Sequence, residues 1–260
     1  GSPQWNCNSE ISKAVRNKDK GTSPRTQSSI AVTSNGDEWI LFNASPDLGS
    51  QILHNKQMHP KKDLRHSPIS GVVLTNGDVD HVAGLLTLRE RQNLSVYAHK
   101  RVHTVLSQNS IFNVLNPEFV DRRELIMNKR FELKNKNGIG LGIEIEAFEV
   151  QGKIALWLED ESKGDDFGTE EGDTIGLRIC SAIDNKSFFY IPACAKMTNK
   201  LSEKIRGSEV VLFDGTLWRN DEMSNNKVGE KTGQRMGHMN NSGDEGSIEA
   251  FKKLDVKRKI

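Results

Sequence analysis

The densest group of metal-ligand and acid–base residue types in the chain is Asn76-Gly77-Asp78-Val79-Asp80-His81, which runs on into Val82-Ala83-Gly84-Leu85. Amide and carboxylate oxygens with an imidazole over six residues could hold a metal ion, given one or two more donors from elsewhere. A plainer reading has Asp78 and Asp80 capping a helix, with His81 solvated in its first turn. Two other clusters share the character. In Val210-Val211-Leu212-Phe213-Asp214-Gly215-Thr216 an apolar run ends in a carboxylate, where an ordinary turn residue is the alternative. Arg235-Met236-Gly237-His238-Met239 sets a histidine in a glycine-bearing loop, a place where many histidines are simply solvated. Asn43-Ala44-Ser45-Pro46-Asp47 closes a strand in the same manner, so Asn43, Asp47, Asn76 and Arg235 are candidates for a substrate pocket around Asp78, Asp80, His81, Asp214 and His238. His54, His59 and His66 have no regular ligand spacing, and Cys194 reads as a buried structural thiol. The chain has no phosphate-binding glycine loop, no Gly-x-Ser-x-Gly elbow and no GxGxxG, so nucleotide and serine-hydrolase chemistry lack their main support.

These clusters need strands that end at a common rim. Residues 29–33 and 39–43 are short β-type runs flanking Ser34-Asn35-Gly36-Asp37, a hairpin turn. Pro46 opens a helix capped by Ser45, with Leu48, Ile52 and Leu53 as its buried stripe. Residues 69–75 form a continuous apolar run, read as a buried strand, and a helix follows from Asp80 through Val82, Leu85, Leu86 and Arg89. Strands are expected at 95–98, 139–150, 175–180, 188–191, 210–213 and 256–260, with helices at 100–108, 198–206 and 246–254. Residues 1–28 are polar without a period, and the first 23 are expected to be loosely ordered. The acidic stretch 160–173 reads as a solvated surface loop of low order. Strand pairs interspersed with helices indicate an α/β protein, a sandwich of two sheets covered by helices.

Composition narrows the function classes. The 260 residues carry 36 basic and 35 acidic side chains, a formal charge of +1 that argues against a general nucleic-acid binder. No apolar run approaches the ~20 residues of a membrane span, and mean hydropathy is −0.58. Three widely separated cysteines (Cys7, Cys180, Cys194) provide no disulfide framework and suit a reducing cytoplasm. The chain starts without a methionine and stops within a strand pattern, so it reads as a fragment.

Pro3-Gln4-Trp5-Asn6-Cys7-Asn8, Pro24-Arg25-Thr26-Gln27-Ser28-Ser29, Asn43-Ala44-Ser45-Pro46-Asp47, residues 75–88, Leu212-Phe213-Asp214-Gly215-Thr216 and Arg235-Met236-Gly237-His238 closely resemble the pyrroloquinoline quinone (PQQ) biosynthesis protein B family, in order and over essentially the whole chain. The resemblance implies a metallo-β-lactamase-like αββα sandwich of two mixed β-sheets flanked by helices, one domain over 1–260 without its first strand and C-terminal portion. It also implies a role in making PQQ from a glutamate-tyrosine-containing precursor peptide. Metallo-hydrolases of that superfamily carry His-x-His-x-Asp-His, whereas this chain has Asn76 and Asp78 at the two leading histidine positions and keeps Asp80 and His81. A dinuclear zinc hydrolase is therefore disfavoured. One Asp, one His and a further His would resemble the facial triad of non-haem iron(II) oxygenases. Through the resemblance, Asp80 and His81 are the expected ligands, and the further histidine is expected beyond Ile260. Asp78 and Asp214 are expected near the metal, with His238 as proton donor or substrate contact. The implied activity is iron- and oxygen-dependent hydroxylation of the precursor tyrosine. The alternative is a carrier or transport-assisting protein for PQQ or its precursor, without turnover. Iron binding by this chain as it stands is expected to be weak. The family often has Cys-x-Cys-x-x-Cys after Gln-Trp-Asn as a structural zinc site; here the positions read Cys7, Ser9 and Ser12, so no zinc is expected there. The expected partner is the peptide or a PQQ intermediate, and a homodimer is left open.

Overall fold

The computed structural model describes residues 1–163 and 168–260. Among these, eleven strands form two sheets. The first contains β1 (Ile30–Val32), β2 (Trp39–Phe42), β3 (Ile69–Val73), β4 (Leu94–Ala98) and β5 (Val120–Glu124), in that spatial order. β1 and β2 are the antiparallel hairpin, with Ile30 opposite Phe42, and the other neighbours run parallel. The second contains β6 (Arg130–Lys134), β7 (Gly140–Glu149), β8 (Ile175–Ser181), β9 (Ser187–Ile191), β10 (Val210–Phe213) and β11 (Arg258–Lys259), ordered β11-β10-β9-β8-β7-β6. Here β6 to β9 are antiparallel, and β10 lies parallel to both β9 and β11. Both sheets are mixed, as the two-sheet reading of the sequence expected.

Strand alternation builds the layers. Ile40 and Phe42 point between the sheets to meet Ile143, Ile145, Leu177, Ile179 and Tyr190, while Leu41 points to the opposite face. Side chains two residues apart share a face, so each strand feeds two cores. Outside the first sheet, Leu41, Val72, Val96 and Leu74 pack under α2 (Leu48–His54), α3 (Val79–Val82) and α4 (Lys100–Gln108) through Leu48, Val82, Val102 and Leu106. Outside the second, Phe148, Phe189, Ile191 and Val211 pack under α5 (Asn199–Ile205) and α7 (Ser247–Lys252) through Leu201, Ile205 and Phe251. A short α6 spans Glu222–Asn225. β3 and β4 are buried on both faces, which is why residues 69–75 read as a continuous apolar run.

Several expectations are corrected. Residues 10–17 form a helix, α1 (Glu10–Asn17), in the region expected to be loosely ordered. Ser9 caps it by accepting from the Ser12 N–H, and Lys18 closes it in the left-handed conformation. Its only buried apolar side chain is Val15, and Ile11 is exposed, so no apolar period marked it. α2 starts at Leu48, with Asp47 rather than Ser45 at its cap position, and Leu53 of the expected stripe is exposed. The helix after Asp78 is a single turn that tightens into a 3₁₀ segment over Ala83–Leu88. β5 and β6 leave little apolar signal in the sequence because they are sheet edges bearing Asp121-Arg122-Arg123-Glu124 and Arg130, the charged side chains that keep an edge from pairing further. Residues 164–167 of the acidic stretch lie outside the described residues. Its last residue, Asp173, is buried rather than solvated, because Arg101 donates to its two oxygens from Nε at 2.6 Å and Nη2 at 2.9 Å. No helix among the described residues is long and apolar enough to cross a membrane.

Candidate active site

The candidate residues lie where strands of both sheets finish. β3 ends at Val73 and the chain turns through Leu74, Thr75 and Asn76 into α3. Asn76 is buried, and its Oδ1 accepts from the Asp78 N–H at 3.0 Å and from His81 Nδ1 at 2.6 Å. With Nδ1–H donating to the amide oxygen, the neutral ring of His81 carries its lone pair on Nε2, the form that can ligate a metal. Burial pushes the His81 imidazole down to about 4, against the opposing pull of the Asp78 and Asp80 carboxylates, so the ring is neutral at pH 7. Asp80 is exposed and faces the 24–29 segment; with the Gln27 amide oriented to donate, its nitrogen lies 2.9 Å from Asp80 Oδ1. Asp78 accepts from the Leu156 N–H at 3.1 Å and has Lys153 Nζ at 3.7 Å, so it does not cap the helix with its side chain.

From the second sheet, β10 delivers Asp214, which is almost fully buried. Its Oδ1 accepts from the Thr216 N–H and hydroxyl, and its Oδ2 from the Cys194 N–H and His238 Nδ1, the latter at 2.7 Å. One of these four bonds fixes the His238 ring, and the other three hold the carboxylate itself in place. Burial disfavours the charged His238 ring, but the hydrogen bond and charge of Asp214, with Asp78 adding to it, raise its pKa above the ordinary histidine value. His238 reaches this position because Gly237 takes φ 83° after the 3₁₀ turn Gln234–Met236, a conformation that favours glycine. The two sides meet at Lys153, whose Nζ lies 3.7 Å from Asp78 Oδ1 and whose stem packs on Gly237, the residue before His238.

Three expected pocket residues have other work. Asn43 is wholly buried in the left-handed conformation, its Oδ1 accepting from the Thr75 N–H at 2.9 Å and its Nδ2 donating to Thr75 Oγ1 and to the Tyr190 hydroxyl. It ties β2, β3 and β9 together and is shut off from any substrate. Asn76 is likewise committed to His81. Asp47 accepts from the Gln27 N–H at 2.8 Å and so anchors the 24–29 segment. Arg235 does face the site, donating to Glu159 Oε2 at 2.9 Å. Nothing in the sequence marks Lys153, Glu159 or Gln27 as site residues: the first two flank the apolar run Ile154-Ala155-Leu156-Trp157-Leu158 after β7, and only the fold brings them to the rim. Cys194 is buried, and burial pushes its thiol up to about 12, in keeping with a structural role.

Among the described residues, no three His, Cys, Asp or Glu side chains are grouped to hold a metal ion. The donor chemistry nonetheless suits one, since His81 is neutral with its lone pair on Nε2 and carboxylates stand beside it. At the N-terminus Cys7 Sγ lies 3.2 Å from Ser9 Oγ, and Arg16 ties the loop down by donating to the carbonyls of Cys7 and Gln4 at 2.7 Å and of Trp5 at 3.4 Å.

Residues 38–260 match the family described as Beta-lactamase superfamily domain. Coenzyme PQQ synthesis protein B of Rhodopseudomonas palustris is 47% identical over 263 residues, covering 100% of this chain and 84% of the relative. The protein of the same description from Xanthomonas oryzae pv. oryzae is 45% identical over 260 residues, with the same coverage. The crystal structure of Zn(2+)-bound PqqB from Methylobacterium extorquens superposes with a TM-score of 0.88 at 43% identity, over 99% of this chain and 85% of that one. A diphosphatase of the PhnP family, at 19% identity and TM-score 0.64, shares the fold. Two mixed sheets between helical layers, the family match over residues 38–260 and 45–47% identity over the whole of this chain agree: the chain belongs to the coenzyme PQQ synthesis protein B family of the metallo-β-lactamase fold.

Proposed function

We propose that this protein, as a member of a PQQ biosynthesis family, is an iron(II)- and oxygen-dependent hydroxylase acting on the tyrosine ring of a Glu-Tyr-containing precursor peptide. The observation that carries the reading is the pairing of two differently tuned histidines. His81 is held neutral by burial and by its Nδ1 bond to Asn76, and His238 is held toward the protonated form by Asp214. Environments that push two like groups apart assign them different tasks.

His81 and Asp80 would hold the iron, with a further histidine beyond Ile260 completing a facial triad. A relative of the same fold, 43% identical, is described as Zn(2+)-bound, which supports metal binding within the family. Iron with dioxygen would supply the oxidising power that no side chain of the chain possesses. His238 would move a proton at Nε2 while Asp214 fixes the ring, and Asn76 would orient His81. The Asn43–Thr75–Tyr190 network would keep the two sheet edges in register beneath the site.

The test is iron analysis of the full-length protein together with the mass change of a Glu-Tyr peptide under oxygen. One bound iron and a gain of one oxygen atom on the tyrosine support the reading. No turnover under any metal, with tight PQQ binding, would sink it and assign the pocket to a carrier. Hydrolysis of generic esters would point to a hydrolase.

A further inference from the structure

Beside His238 the structure gathers cations around a single carboxylate. Glu159, whose side chain is 10% exposed, has Arg235 Nη2 at 2.9 Å and the ammonium groups of Lys153 and Lys231 each at 3.4 Å. Lys153 also lies 3.7 Å from Asp78 Oδ1 and 3.3 Å from the carbonyl oxygen of Ile154. Among the described residues, three cations thus meet two carboxylates at this rim. Only the Arg235 contact has the ~2.7–2.9 Å length of a strong charge-assisted bond. An ammonium group carries three N–H donors, and both lysines meet Glu159 at the long end of hydrogen-bonding range, so donor capacity remains for an incoming acceptor.

The cluster is also built into the catalytic edge. Lys153 lies four residues beyond the end of β7, and its stem lies over the turn that delivers His238. A Cβ on Gly237 would come 3.0 Å from Lys153 Cγ, so this glycine leaves room for the lysine to cross toward Asp78. Lys231 is half-exposed, whereas Lys153 and Arg235 are mostly covered, so the cations grade from solvent inward toward His238. Field lines from such a graded set concentrate where the dielectric is lowest and draw an anion inward.

We propose that Lys153 and Lys231, backed by Arg235 and Glu159, form a carboxylate-binding subsite that anchors an acidic group of the substrate beside His238. Arg235 fixes Glu159, Glu159 positions the two ammonium groups, and their remaining donors receive the ligand's oxygens. The choice of peptide probe rests on the function proposed above, but the subsite itself rests on the charges and distances at this rim.

The test measures binding by the full-length protein, without added iron and under nitrogen, so it does not depend on turnover. The probes are Glu-Tyr, Gln-Tyr and Glu-Tyr amide, which separate the side-chain carboxylate from the terminal one. Loss of the recognised carboxylate should weaken binding about ten-fold, the effect of one charge-assisted hydrogen bond at a partly covered site. The Lys153→Met and Lys231→Met variants, which keep most of each stem, should bind all three probes alike. Equal binding of the three probes by the wild-type protein would overturn the proposal, and so would no binding of any of them at millimolar concentration. A preference that persists in the double variant would also overturn it. A second measurement separates the two ideas. Carboxylate-dependent binding without hydroxylation keeps the subsite and discards the reaction, whereas hydroxylation of acid and amide at equal kcat/KM keeps the reaction and discards the subsite.

Discussion

Gly84 sits where the helix carrying His81 meets the loop carrying Asn43, and replacing it with alanine should damage both. Its N–H donates to the Ala44 carbonyl at 2.8 Å, and the Ala44 N–H donates in turn to the His81 carbonyl at 2.8 Å. A Cβ at position 84 would lie 2.2 Å from the Ser45 carbonyl oxygen and 2.7 Å from the Ala44 carbonyl carbon. These are backbone atoms that cannot rotate away, so relief requires the segments to part by about an ångström. That separation costs roughly 1–3 kcal/mol of overpacking strain. Stretching the two backbone bonds adds about 1–3 kcal/mol if one buried group is left unpaired. Gly84→Ala should therefore destabilise the protein by about 2–6 kcal/mol, lowering Tm by on the order of 10 °C in a chain of this size. The control is Gly49→Ala within α2, where the nearest atom to the new Cβ is Thr87 Cγ2 at 4.0 Å and the expected change is a gain of roughly 0.5–1 kcal/mol. Urea unfolding followed by circular dichroism measures both. A Gly84→Ala midpoint equivalent to less than about 1 kcal/mol below wild type would refute the close-approach argument.

Other perturbations test different parts of the molecule. Asn43→Ala should cost about 2–4 kcal/mol in denaturant unfolding, because it strands the buried Thr75 N–H and puts alanine at a φ of 65°. Burial opposes ionisation of Glu159, yet the Arg235 hydrogen bond and the charges of Lys153, Arg235 and Lys231 outweigh it and hold the carboxyl at about 2, below its ordinary 4.5. Its contribution to stability is therefore complete above that ordinary value and lost as pH falls through about 2, so Glu159→Gln should flatten the pH dependence of Tm in this window while leaving the dependence near neutrality unchanged. Arg16→Ala should expose residues 4–9 to proteolysis, through a local loss of about 1–2 kcal/mol from its carbonyl bonds, whereas a zinc chelator should change nothing there. In the full-length protein, His81→Ala should abolish iron binding, whereas His238→Ala should retain iron and slow turnover by ~10²–10⁴; iron lost in the second variant and kept in the first would exchange their roles.

What the sequence determined by itself is local. An apolar run buried on both faces, such as 69–73, declares a strand wherever it folds, and the Asn35-Gly36 turn declares the first hairpin. Candidate chemistry was legible beside these signals, since Asp78, Asp80, His81 and Asp214 follow apolar strands and His238 sits in a glycine-bearing loop, and ordered motifs made the family recognisable. Elements whose burial is shallow or one-sided left no such trace, including α1 with its single buried valine and the charged edge strands β5 and β6. Tertiary structure alone decided which polar side chains are structural. Asn43 and Asn76 have the residue type of substrate contacts, and both are spent inside, because a buried strand end leaves backbone and side-chain groups that must be paired. Only the folded chain brings Lys153 and Glu159 to Arg235, and Arg16 to the carbonyls of Gln4 and Cys7, since those partners are set by the packing of segments and not by spacing along the chain. The difference is physical: periodicity reports how much of a segment is hidden from water, and it says nothing of which distant group will meet a charge there.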